Sequence, residues 1–168
     1  MSANTLTTRI GSLYNSATSL LNSLQSPLLL AIRLYWGYQF AQTGWGKLHR
    51  IAGVTDFFAS LGLPQPHLTA IFVSLVEFLG GILFAFGLGS RLVSCVLFIN
   101  MTVAFWTADR EAFGHIFNDP GKFYIADPYT FWFAALLILI LGPGFLALDT
   151  LLARRFQQKS TSSGMAVL

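Results

Sequence analysis

Residues 68–88 read LTAIFVSLVEFLGGILFAFGL, an unbroken apolar run interrupted by one charge, Glu77. At a rise of ~1.5 Å per residue, a helix of this length covers the ~30 Å hydrocarbon core of a bilayer. The apolarity is continuous and does not alternate, which excludes a strand of a transmembrane barrel. A backbone in lipid must satisfy its own hydrogen bonds, so the run reads as a transmembrane helix. Working outward, Pro27 to Gly46, Leu92 to Thr107 and Tyr129 to Leu148 are runs of the same kind, the one from Leu92 being the shortest. The sequence therefore predicts an all-α integral membrane protein, a four-helix up-and-down bundle spanning residues 27–155.

Composition agrees. Of 168 residues, 54% are hydrophobic and only 10% charged, with a mean hydropathy of +0.62. A soluble domain carries roughly a quarter charged residues, so this chain lacks the polar surface a soluble fold requires. The ten basic and seven acidic residues are dispersed, which leaves no footprint for nucleic acid. The single cysteine, Cys95, forms neither an internal disulfide nor a C-x-x-C redox pair.

Gly87-Leu88-Gly89-Ser90-Arg91 reads as a tight turn that makes the second and third runs antiparallel neighbours. Pro27, Pro64, Pro66, Pro128 and Pro143 fall at segment edges, where a missing N–H does least harm. Trp45, Trp106, Trp132 and Tyr129 fall at one face as an aromatic belt, whereas Trp36 lies deeper as a packing residue. In residues 1–26, Leu6, Ile10, Leu13, Ala17, Leu20 and Leu24 recur at helical spacing, which predicts an amphipathic helix on the membrane surface. The Ser- and Thr-rich residues 156–168 read as a disordered tail. By the positive-inside rule, Arg9, Arg91, Arg154, Arg155 and Lys159 on the terminal side stand against Lys47, Arg50, Arg110 and Lys122 on the other. The Arg154-Arg155 pair directly after the last run places both termini in the cytoplasm. The connections 47–67 and 108–128 then face outward.

Charges inside the membrane carry the chemistry. Arg33 and Glu77 each cost on the order of 2.5–3.5 kcal/mol at mid-bilayer on insertion scales, so both should face the bundle interior or water. Estimated depths bring Arg33, Gln39, Glu77 and Asn100 into one polar cluster, with Lys47, nearer the opposite face and reachable only through water or Gln42, as the alternative partner of Glu77. Such a cluster is interhelical glue, a ligand or quinone-headgroup site, or part of a proton or ion path. His49, His67 and His115 lie in or beside the outer connections, so axial haem ligation is not expected. With Asp56, Asp119 or Asp127 they match no metal-binding spacing, and no metal site is expected. No P-loop, G-x-S-x-G or H-E-x-x-H motif is present. Gly37, Gly44, Ser74, Gly80, Gly81, Ala85, Ala134 and Ala135 read as small residues at close helix contacts.

Gly44-Trp45-Gly46-Lys47, Phe57 to Pro64, Glu77-Phe78-Leu79-Gly80-Gly81, Gly87 to Leu92 and Gly142-Pro143-Gly144 with Leu148-Asp149 occur in an order that resembles the DoxX family of small bacterial membrane proteins. The resemblance covers about residues 27–155. It implies a four-helix bundle in the bacterial inner (plasma) membrane, linked in some members to quinone-dependent and detoxifying enzyme complexes. Lys47, Glu77 and Arg91 are the matching polar positions, and Arg33 matches a basic residue early in the first helix. The resulting expectation is a non-haem accessory subunit of a quinone-linked or redox complex, with redox or detoxifying enzymes, or a second copy of the chain, as partners. The alternatives are a small transporter or proton-linked permease, and a non-catalytic anchor for soluble enzymes.

Overall fold

The computed structural model describes residues 3–155; the tail expected over 156–168 lies outside them. Every regular element among the described residues is helical: α1 Ala3–His49, α2 Ile51–Ser60, α3 Pro66–Phe86, α4 Ser90–Thr107, α5 Arg110–Gly114, α6 Pro120–Ile125 and α7 Pro128–Leu141. Residues 148–155 are again helical. Among the described residues, α3 and α4 are long and apolar enough to cross a membrane, and α2 and α7 are shorter apolar helices. α1 packs on α3, α3 on α4, α4 on α7 and α7 on α1, with α2 against the side of α3.

The α3–α4 turn forms as its glycines require. Gly87 (φ 70°) and Gly89 (φ 60°) both take the left-handed conformation that a side chain disfavours. The Leu88 amide closes the end of α3 by donating to the Leu83 carbonyl at 3.0 Å. The core between the long helices is Leu29, Phe40, Phe84, Leu97, Met101, Ala135 and Ile138. The Phe40 ring sits edge-on to Phe84 and Phe131, at 6.1 and 4.8 Å between centroids. Trp36 packs on Phe131 at 5.3 Å, as its depth in the sequence implied.

Three expectations are corrected. The N-terminal stretch is not separated from the first run at Pro27: α1 is one continuous helix with Pro27 inside it. Proline removes the bond to the Ser23 carbonyl, but both residues are exposed, so the freed group keeps access to other partners. The connection 47–67 is not simply a loop, because Ile51 to Ser60 is apolar enough to form α2 and lie on α3. The last run stops at Leu141 and not at Leu148. Gly142 and Gly144 have φ of 81° and 78°, and Pro143 between them cannot donate, so the helix ends and the Phe145 amide donates instead to Ser26 Oγ at 3.2 Å.

The aromatic girdle is also thinner than expected. Trp45 and Trp106 are exposed, whereas Trp132 turns inward, packs on Phe98 and donates from Nε1 to Thr102 Oγ1 at 3.0 Å. In the connection 108–128, Phe123 of α6 is buried and stacks on Phe105 at 4.9 Å, which closes that end of the helices.

Candidate functional site

Close backbone approach between α1 and α3 creates the principal site. A Cβ at Gly44 would collide with the Phe78 backbone nitrogen, and one at Gly81 with that of Ala41. One at Gly37 would lie 2.7 Å from the Ala85 Cβ. These small residues let the two helix backbones touch, the usual basis of association where lipid supplies no hydrophobic drive. One turn beyond Gly44, Lys47 therefore reaches Glu77, about half-way along α3.

Glu77 is 1% exposed. Lys47 Nζ donates to both of its carboxylate oxygens, at 2.6 Å to Oε1 and 2.7 Å to Oε2. Asn100 Nδ2, from α4, donates to Oε1 at 3.3 Å. The Lys47 side chain stays 35% exposed, so the buried carboxylate meets the surroundings through a half-open ammonium group. Ser74, one turn before Glu77 and fully buried, donates to its own helix at Ala70 O and leaves the carboxylate to Lys47 and Asn100.

Arg33 is elsewhere. Its side chain is fully buried, but Nη2 donates to the Leu146 carbonyl at 2.9 Å, and the guanidinium fills the space that a Cβ at Gly87 would need. Gly87 is about 15 Å along α3 from Glu77. The expected Arg33–Glu77 cluster is thus divided into two sites, because the segment after α7 folds back and supplies Arg33 with its own acceptor. Gln39 is half-buried on α1 and takes no side-chain part in either site; its backbone carbonyl accepts from Thr43 Oγ1.

The second site centres on Asp149, whose role the sequence did not disclose. Its Oδ1 accepts from the Gly89 amide at 2.8 Å and its Oδ2 from the Ser90 amide at 2.7 Å. In return the Asp149 amide donates to the Gly87 carbonyl at 3.0 Å. A residue from after α7 thereby caps α4, the carboxylate matching the positive end of that helix. Burial pushes the Asp149 carboxyl up, but the two amides and the Arg33 charge outweigh it and hold it below the ordinary carboxylate value. Beside it, Gly89, Ser90, Arg91, Pro143 and Thr150 line an open depression of ≈ 520 Å³, in which Arg91 is exposed.

At the other end, Lys122 donates to Glu111 at 2.9 Å in an exposed pair. Burial, and then Asp127, raise the Asp109 carboxyl above its ordinary value. His49, His67 and His115 make separate contacts, with Trp45 O, Thr55 Oγ1 and Glu111 O. Among the described residues, no three His, Cys, Asp or Glu side chains come together as metal ligands.

The DoxX sequence profile matches residues 28–110, which include Arg33, Lys47, Glu77, Arg91 and Asn100. The Escherichia coli protein named "Inner membrane protein YphA" is 33% identical over 129 residues, covering 73% of this chain and 88% of that protein. The chain belongs to the DoxX family. A second DoxX-type relative, the Bacillus subtilis protein named "Putative oxidoreductase CatD", is 29% identical over 120 residues, 71% of this chain and 83% of that protein. No solved structure matches the chain at a significant level. As a DoxX protein it is a membrane protein, and its Lys47–Glu77–Asn100 triad lies wholly within the matched region, whereas Asp149 lies outside it.

Proposed function

We propose that this DoxX protein is a quinone-linked subunit of a redox complex in the bacterial plasma membrane. In this reading α1, α3, α4 and α7 cross the bilayer, and the Lys47–Glu77–Asn100 site takes a carbonyl-bearing headgroup. The observation that carries it is a buried carboxylate held at mid-helix by an ammonium group that remains partly open. A carbonyl oxygen accepts from a free Lys47 N–H, and the corresponding hydroxyl of the reduced headgroup donates to Glu77. The chain binds and orients the ring and exchanges protons with it; electrons pass to a partner redox enzyme. The "oxidoreductase" in one relative's name is consistent with this but rests on 29% identity.

The test must separate a ligand site from interhelical glue. Glu77→Gln alone leaves Lys47 unpaired, so Lys47→Met/Glu77→Gln is the informative variant. Its melting in detergent should stay close to that of the parent, while affinity for a short-chain quinone falls at least ~10-fold, the equivalent of one charged hydrogen bond. Unchanged quinone affinity in a folded double variant would overturn the headgroup reading.

A further inference from the structure

α1 is longer than a bilayer requires. Its 47 residues extend ~70 Å, more than twice the hydrocarbon core; residues 11–25 are exposed apart from a half-buried Thr18, and contact with the rest of the fold begins at Ser26, which takes the Phe145 amide. That stretch exposes Leu13 (71%), Tyr14, Leu20 (62%), Leu21 and Leu24, and Leu28 continues the surface past the proline. At 3.6 residues per turn, these side chains and Ala17 fall on one arc about 120° wide. The remaining arc is Gly11, Ser12, Asn15, Ser16, Thr18, Ser19, Asn22, Ser23, Gln25 and Ser26. Between Arg9 and Arg33 there is no ionisable charge at all.

We propose that residues 9–26 form a surface helix that inserts into loosely packed lipid and is indifferent to lipid charge. Interfacial helices usually add electrostatic attraction to the burial of their apolar face. Here the polar face holds hydroxyls and amides, so only apolar burial drives binding. Insertion then needs gaps between headgroups, and the helix reads curvature and acyl packing. Pro27, with no amide hydrogen, is the point where the helix bends from the span into the interface. The alternative occupant is a second copy of the chain, but a coiled-coil seam is narrower than this arc and is flanked by charged positions, where this stretch has Tyr14, Ser16, Leu21 and Ser23. The proposal rests on the chain being anchored in a bilayer and is independent of the headgroup site.

The test uses the full chain with Cys95→Ser and an environment-sensitive fluorophore on Ala17→Cys, reconstituted into phosphatidylcholine vesicles. Emission should shift to the blue and brighten ~2-fold in small or branched-chain vesicles relative to large, saturated ones. Adding anionic lipid should change it little. Leu13→Ser/Leu20→Ser should abolish the response, and Ser12→Lys/Ser19→Lys should make it depend on anionic lipid. On the unmodified chain, amide exchange over residues 11–26 should slow in the same loosely packed vesicles. The proposal is overturned by emission equal in all vesicles, by a response governed by anionic lipid, or by one that follows the number of copies per vesicle.

Discussion

Glu77 collects donors from two other helices and Asp149 from two adjacent amides at the start of α4, and the two carboxylates answer different experiments. Removing one partner of a buried pair costs ~3–5 kcal/mol because the other charge is left stranded. Lys47 keeps a third of its side chain exposed, so Glu77→Gln should lose stability at the lower end of that range. Lys47→Met/Glu77→Gln should recover most of the loss, which chemical denaturation in detergent measures as a coupling energy. Asp149 responds to pH. Its folded carboxyl is held below the ordinary value, so the stability it adds is complete above the unfolded value and is lost as pH falls through the folded one. Melting temperature should therefore drop on acidification below the ordinary carboxylate range. Asp149→Asn should flatten that dependence and remove a cap contributing ~0.5–2 kcal/mol at neutral pH.

At the scale of elements, two helical glycines behave oppositely because their surroundings differ. Gly44 is buried, with the α3 backbone against it, whereas Gly53 in α2 has nothing within 4 Å of a built Cβ. Gly44→Ala should push α1 off α3, lower the melting temperature and pull Lys47 away from Glu77. Gly53→Ala should raise stability by up to ~1 kcal/mol, the helix-propensity difference alone. Thermal unfolding of the two variants side by side checks the contrast. The small-residue reading of the sequence found Gly44, but nothing in the pattern separated glycines in contact from glycines in open space. That distinction depends on which face α3 presents.

For the whole molecule, contacts join the start of the first long apolar segment to the end of the last. Ser26 receives the Phe145 amide and Arg33 bonds the Leu146 carbonyl, so these segments share one end of the helices. An even number of crossings follows if the long helices span the bilayer. With Cys95→Ser as background, cysteines placed at Ser12 and Arg154 should react with an impermeant thiol reagent from the cytoplasmic side. One placed at Asn118 should react from the opposite side. Labelling of Asn118→Cys and Arg154→Cys from the same side would defeat the four-span topology.

Apolar run length determined that this is a helical membrane chain, and the placement of two glycines determined the turn between α3 and α4, because the first depends on transfer into lipid and the second on local backbone chemistry. The partner of each buried charge was decided elsewhere. Arg33 and Glu77 are of opposite sign and differ in estimated depth by a span that a long arginine side chain could partly cover, and depth counted along separate helices carries no information about rotation or about a segment folding back. Only the close approach of α1 at Gly44, and the return of residues 145–149 over the end of the helices, brought Lys47 to Glu77 and gave Arg33 and Asp149 a site of their own.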